Sequence, residues 1–401
     1  MDFDVIQPLI KKNDSKIVFL IMDGIGGLEN DEGKTELEDA FTPHLDQLAE
    51  EGICGLQMPV GSGITPGSGP GHLGVFGFDP LKYQVGRGVL AANGINFDLH
   101  HGDIAARGNF CTIDEKGRVT DRRAGRISTE KNKELCGLLR DQISIPDVEV
   151  FVETVKEHRL LLVLRGENLS GKLHDTDPQQ TGVPPLSPKA TDEEADHMVE
   201  IIEGFLSQVQ SILKDEPVAN MVLLRGFSQR PNWPKMIDCF GLKSVAIAAY
   251  PMYRGLAKLI GMDVFEAGQS IEEEFSTLEE QWDNYDFFYV HVKKTDSHGE
   301  DGNFNRKKEV IEEVDRFIPK LRKLNPDVIV VTGDHSTPSK LAFHSWHPVP
   351  VILWSEICRK DMVTRFGERE CMKGGLGPRF PAVDLMILAL ANAKRLEKFG
   401  A

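Results

Sequence analysis

The sequence predicts an α/β protein, a mostly parallel sheet flanked by helices with a smaller α/β domain inserted into it. Three observations lead there. Continuous apolar runs of strand length alternate with segments of helical period, the pattern of a parallel sheet covered on both faces. The texture changes near residue 107, where an arginine-rich hairpin pattern begins, and the apolar runs resume after about 230. The length, 401 residues, exceeds the size at which one core keeps growing. Two domains are therefore expected, one from 1–106 and 230–401, the other from 107–229.

The first run, IVFLIM at 17–22, reads as a buried strand that stops at Asp23-Gly24. An aspartate there sits where open α/β sheets bind ligands, although a turn opened by Asp23 explains it equally well. Thr42-Pro43 places a cap and an N1 proline before a helix with Leu45 and Leu48 inward and Gly52 at its end. Residues 61–78, GSGITPGSGPGHLGVFGF, put seven glycines and two prolines around Ser68. Ordering so much glycine costs entropy, so something must approach this backbone closely. The stretch predicts a loop turning into a short helix near His72, with Ser68 and the following amides aimed at an anion. Residues 83–96 read as a second loop-rich stretch around Gly86-Arg87-Gly88.

Residues 107–126 predict a hairpin with Gly117 in its turn and with Arg107, Arg122, Arg123 and Arg126 close together. Arginine forks suit carboxylate and phosphate, while a solvated charged surface is the common alternative. A strand at 160–164 is flanked by His158-Arg159 and Arg165. Residues 166–188 have no apolar period and are long for an idle loop, which marks LHDTDPQQ, with Asp177, as a functional candidate. Thr191 and Glu194 predict a capping box for a helix with Met198, Ile201, Ile202, Phe205, Val209 and Leu213 on one face. Strands are then expected at 221–224, 245–249, 287–292, 328–331 and 349–354, with helices at 305–324 and 384–396.

A formal net charge of −16 argues against a chain that coats nucleic acid or anionic membrane. The six cysteines are irregularly spaced and include no C-x-x-C pair, which favours free thiols in a reducing cytoplasm. Neither a signal-peptide pattern nor an apolar segment of about 18 residues is present, so a cytoplasmic protein without a membrane span is expected.

Three predicted strands end in similar chemistry. The run at 17–22 ends at Asp23, the run at 287–292 leads to Asp296, His298, Glu300 and Asp301, and the run at 328–331 leads to Asp334-His335. Parallel strands put these ends on one edge of the sheet. Crowded carboxylates call for cations, and mixed oxygen and imidazole donors suit manganese or zinc better than magnesium. His344 and His347 follow shortly after. Taken singly, a histidine is more often packed than ligating.

At this point the chain resembles the archaeal-type cofactor-independent phosphoglycerate mutases, members of the alkaline phosphatase superfamily. The resemblance covers nearly the whole length: MDGIGG, GITPGSGPGHL, ARGNF, DRRAGR, EHRLLLVLRG, DTDP, HVKKTD, TGDHSTP and HPVPV occur in the family's order. It implies an alkaline-phosphatase-like sheet with an inserted substrate domain. Ser68 would be the nucleophile, phosphorylated in turn. Asp23, Asp334 and His335 would hold one metal beside Ser68, and Asp296, the residue at 300 and His344 a second. His158, Arg159, Arg254, Arg123, Arg107 and Asp177 would bind the substrate.

The resemblance also implies interconversion of 3-phosphoglycerate and 2-phosphoglycerate without 2,3-bisphosphoglycerate. Two divalent metals would serve, manganese first, with zinc, cobalt or magnesium as alternatives, and the second domain would close over the substrate to exclude water. The chain departs from the family at Glu300, where histidine is usual, at His347, where aspartate is usual, and at Gln179, where histidine is common. Glu300, His298 or His347 could therefore complete the second metal set. The rivals are a metal-dependent phosphohydrolase, a mutase of another small phosphate ester, and a non-catalytic homologue.

Overall fold

The computed structural model describes residues 3–268 and 270–400, without the side chain of Glu194. Its strands in chain order are β1 (Ile17–Met22), β2 (Ile53–Met58), β3 (Ile104–Ile113), β4 (Val119–Asp121), β5 (Glu149–Lys156), β6 (Arg159–Arg165) and β7 (Met221–Ser228). They continue with β8 (Ser244–Ala248), β9 (Asp263–Phe265), β10 (Phe287–Val292), β11 (Val328–Thr332), β12 (Val349–Ser355) and β13 (Gly377–Pro381). The chain divides into two compact units, one of residues 1–84, 233–250 and 257–401, the other of 85–232 and 251–256.

The first unit is built on one sheet in the order β13-β2-β12-β11-β1-β10-β8-β9. Strand β1 lies between β10 and β11, parallel to both, with Ile17 opposite Phe287 on one side and Val328 on the other. All residues of β1, β10 and β11 are buried, which is why they read as unbroken apolar runs rather than alternating ones. Leu20, Val290 and Val331 on one face pack with Leu45 and Leu48 of the Pro43–Glu51 helix and with Phe275 and Leu278 of the Ile271–Gln281 helix.

Several elements differ from the sequence expectation. Strand β12 runs antiparallel to β11, because the connection 333–348 contains no crossover helix and the chain turns straight back. Strand β2, not singled out in the sequence, pairs antiparallel with β12. The helix expected at 305–324 is two helices, Phe304–Asp315 and Ile318–Lys323, with Pro319 in the first turn of the second. A proline there clashes with the carbonyl four residues back and cannot continue the first helix.

The second unit carries an antiparallel sheet in the order β4-β3-β6-β5, with β7 also paired to β3. Gly117, in the turn between β3 and β4, has φ 74°, a left-handed conformation that favours glycine. The Thr129–Gln142 and Asp196–Leu213 helices pack Leu135, Leu139, Met198, Ile202, Phe205 and Val209 on this sheet. The capping box expected from Thr191 and Glu194 rests on a side chain outside the described residues.

This unit begins at Val85 rather than 107. The stretch 83–96, expected as loop, contains the Arg87–Gly94 helix, whose Gly88 meets the backbone of Ala105 in β3 so closely that a Cβ would collide with it. Residues 251–256 join the same unit, with Pro251 against Gly94.

Candidate active site

The three parallel strands β11, β1 and β10 deliver their ligand-bearing ends to one edge of the first unit's sheet. Asp23 follows β1 directly, Asp296 lies in the Lys294–Glu300 helix after β10, and Asp334 and His335 open the connection after β11. That connection turns back through a bridge between Ser336 and Ser345, which places His344 beside the pair it follows by several residues. The His335 and His344 rings stack with centroids 3.6 Å apart.

Ser68 is the first residue of the Ser68–Val75 helix, so the helix starts earlier than the sequence suggested. Its glycines have a local reason: a Cβ on Gly71 would strike the Asp334 carbonyl, and one on Gly74 the Pro59 carbonyl. What approaches this backbone closely is first of all the chain itself. Pro70 has no N–H and Gly71 donates its own to the Gly67 carbonyl at 3.0 Å, so the helix start offers fewer amides than its glycine content implies. The half-buried Ser68 hydroxyl lies 3.4 Å from His335 Nε2. His72 Nδ1 donates to the Ser68 carbonyl at 2.8 Å and lies 3.1 Å from Asp334 Oδ2.

Around His335 Nε2 stand Asp334 Oδ2 at 3.1 Å and Asp23 Oδ1 at 3.3 Å, both side chains fully buried. Burial pushes both carboxyls up, and for Asp334 the charge of Asp23 adds to this. The net effect is nevertheless a lowered pKa, because Lys293, His291 and His335 act on Asp23 while His335 and His72 act on Asp334. Burial lowers the pKa of His335 against the pull of Asp334, which favours the neutral ring. Lys293 Nζ lies 3.0 Å from Asp23 Oδ2 and also pairs with Asp296. His291, buried within β10, lies 3.2 Å from Asp23 Oδ2.

The donor set fits a divalent cation. One ligand atom from each of Asp23, Asp334 and His335 lies within 4.8 Å of the others, and the same holds for Asp296, His335 and His344. Buried Asp334 Oδ2 makes no hydrogen bond of good geometry. Two carboxylate oxygens facing a neutral ring nitrogen repel one another unless a cation or proton intervenes. Carboxylate and imidazole donors suit manganese, zinc or cobalt, and magnesium less well. Glu300 Oε1 lies 3.8 Å from His344 Nε2 on a side chain that is 56% exposed. His298 is half-buried on the same short helix, and His347 Nδ1 contacts the Ser345 hydroxyl at 3.0 Å.

The other sequence-selected residues lie in the second unit. Arg122 grips Asp177 with two bonds, 2.9 and 2.7 Å, and Arg225 Nη1 lies 3.6 Å from the same carboxylate. Asp177 is thus already paired with guanidinium groups. Arg225 also donates to Asp175 at 3.1 Å. His158 is buried, and burial together with the charges of Arg159, Arg123, Arg126 and Arg107 depresses its pKa to about 3. Burial and Arg225 likewise lower Arg87, with Arg159 a smaller influence, so Arg87 and Arg225 belong to this basic group although the sequence reading did not weigh them as binders. Arg254 lies in the same unit, with Nη2 3.5 Å from the Gly94 carbonyl.

Sequence reasoning also passed over Lys293, His291 and Thr337. Lys293 had a signal, its place at the carboxyl end of β10. His291 had none, because a histidine inside an apolar run is more often packing.

A mostly parallel sheet that gathers carboxylates, imidazoles and a serine at its carboxyl edge has the donor chemistry to hold divalent cations beside a hydroxyl nucleophile. A family profile described as 2,3-bisphosphoglycerate-independent phosphoglycerate mutase matches residues 49–219. A probable enzyme of that name from Thermosipho africanus is 54% identical, over 99% of this chain and 98% of the relative. One from Aquifex aeolicus is 52% identical over 99% of this chain and 100% of the relative. Among solved structures, a protein from Pyrococcus horikoshii matches with TM-score 0.84 and 30% identity, over 97% of this chain and 100% of that one. The cofactor-independent phosphoglycerate mutase from Thermoplasma acidophilum matches with TM-score 0.69 and 29% identity, over 94% and 100%. The chain belongs to the 2,3-bisphosphoglycerate-independent phosphoglycerate mutase family, a family of isomerases.

Proposed function

We propose that the chain interconverts 3-phosphoglycerate and 2-phosphoglycerate through a phosphoserine at Ser68, with two divalent cations and no bisphosphoglycerate. The observation that carries this reading is the Ser68 hydroxyl 3.4 Å from His335 Nε2, within a buried carboxylate and imidazole cluster. Asp23, Asp334 and His335, with Ser68, would hold one cation, and Asp296, His344 and Glu300 the other. The bound cations supply Lewis acidity that eases loss of the Ser68 proton and offsets charge on the phosphoryl oxygens.

The chain's own residues do the rest by positioning and charge, as phosphoryl transfer requires. Ser68 Oγ attacks phosphorus, the bond from phosphorus to the glycerate oxygen breaks, and that oxygen takes up a proton. Glycerate is retained by its carboxylate, a role proposed for Arg159, Arg123, Arg107 and Arg254, with neutral His158 as a hydrogen-bonding partner. Asp177 would act indirectly by fixing Arg122. The other glycerate hydroxyl then attacks the phosphoserine and gives up its proton, the bond from phosphorus to Ser68 Oγ breaks, and Ser68 Oγ takes up a proton, which restores the starting hydroxyl. Exclusion of water during this interval separates a mutase from a phosphatase.

A cytoplasmic location is part of the same proposal. The six cysteines are free, and among the described residues no helix is long and apolar enough to cross a membrane.

The test is a coupled assay of 3-phosphoglycerate conversion without 2,3-bisphosphoglycerate, on chelator-stripped protein with manganese, zinc, cobalt or magnesium restored. Metal-dependent conversion that Ser68→Ala abolishes is expected. Phosphate release from a panel of esters without conversion would instead make the chain a phosphohydrolase.

A further inference from the structure

Thr337 belongs to neither candidate ligand set, yet it touches both. Its hydroxyl donates to Asp296 Oδ1 at 2.6 Å and lies 2.9 Å from His335 Nδ1. A hydroxyl has one hydrogen. With that hydrogen on the Asp296 carboxylate, the threonine oxygen accepts from His335, so Nδ1 carries the ring proton. The lone pair of His335 is then on Nε2, the atom facing Asp23, Asp334 and Ser68.

The backbone of Thr337 is held as firmly as its side chain. Its N–H lies 3.1 Å from both the Gly24 and Gly26 carbonyls, next to Asp23. Its carbonyl accepts from Lys307 Nζ at 2.8 Å, and the same buried ammonium donates to Gly24 and Gly26 at 2.9 and 3.1 Å. Lys307 therefore ties the loop after β1 to the loop after β11 through three carbonyls, with Thr337 at their junction.

We propose that Thr337 is the positioning residue that divides the two metal-ligand sets. By occupying His335 Nδ1 it commits that ring through Nε2 to the set of Asp23 and Asp334. It thereby leaves Asp296 and His344 to the second set, which must draw its third ligand from elsewhere, Glu300 being a candidate with Oε1 3.8 Å from His344 Nε2. The inference rests on the metal reading above.

The test compares Thr337→Val, which keeps shape and loses the hydroxyl, with Thr337→Ser, which restores it. Manganese binding to the metal-free proteins is followed by calorimetric titration. Loss of a partner that orients a ligand typically weakens metal binding about 10–100-fold, the change expected for Thr337→Val, with Thr337→Ser within about threefold of wild type. The melting temperature of each metal-free protein separates this from loss of fold. Nitrogen shifts of His335 in metal-free wild type, which need no variant, should show the proton on Nδ1. Wild-type affinity in folded Thr337→Val, or a proton on Nε2, overturns the role of Thr337 and leaves the metal reading intact. Wild-type protein that takes up no manganese overturns the metal reading itself and the inference with it.

Discussion

Glu300 and Asp296 lie on the same short helix, but Asp296 is 1% exposed while the Glu300 side chain is 56% exposed. A carboxylate so open has freedom to swing onto a cation near His344, and bound metal would then order it. If the proposed second cation site exists, Glu300→Ala is expected to lower the manganese bound per chain relative to wild type, measured by elemental analysis after gel filtration, with mutase turnover falling at least about tenfold. Unchanged metal content and activity would shift the role to His298 or His347. Asp23, Asp296, Asp334 and His335 could be singled out in the sequence because each follows a recognisable strand closely, and His344 because it comes shortly after the Asp334-His335 pair. Lys293, His291 and Thr337 were not, since each matters through a partner from a different strand or loop.

At the scale of elements, the Ser68–Val75 helix is sensitive to single changes because two of its glycines lie against backbone carbonyls. Gly71→Ala sets a methyl group against the Asp334 carbonyl, and overpacking of this kind costs about 1–3 kcal/mol. Lower denaturation midpoints together with weakened manganese binding are expected, because the displaced backbone carries a candidate ligand.

The Ile271–Gln281 helix gives a pH prediction. Glu274 on it is 5% exposed, and burial raises its pKa from 4.5 to about 8 against the pull of Lys294, with Glu313 and Glu273 adding to the rise. The unfolded chain loses this proton first, so the contribution is fully present below pH 4.5 and is lost as pH rises toward 8. Glu274→Gln should match wild type in urea unfolding near pH 4.5 and be more stable near pH 9 by about 1–3 kcal/mol. Equal stabilities near pH 9 would contradict a buried neutral Glu274. The strand runs were readable because burial on both faces makes them uniformly apolar, whereas the break at Pro319 was overlooked within a continuous helical period.

For the whole molecule, cation binding and stability are linked. A ligand bound only by the folded state stabilises it by about 2.7 kcal/mol at one hundred times its dissociation constant. Manganese should therefore raise the melting temperature of chelator-stripped protein in a concentration-dependent way, and Asp334→Asn should blunt the rise. In the second unit, Arg159→Met is expected to raise KM for 3-phosphoglycerate more than it lowers kcat, as loss of uniform substrate binding would. A change confined to kcat would place Arg159 in the chemical step instead.

By itself the sequence determined the α/β class, the strand ends that carry the acidic and imidazole groups, and the family resemblance, all of which depend on residues close together in the chain. The tertiary structure decided what depends on distant residues meeting. It set the order β11-β1-β10, which brings Asp334, Asp23 and Asp296 to one edge, and the reversal of β12, which folds His344 back over His335. It also decided that Asp177 is paired with Arg122 and that Thr337 lies between Asp296 and His335. Periodicity reports which face of an element is buried, and only packing reports which atoms it is buried against.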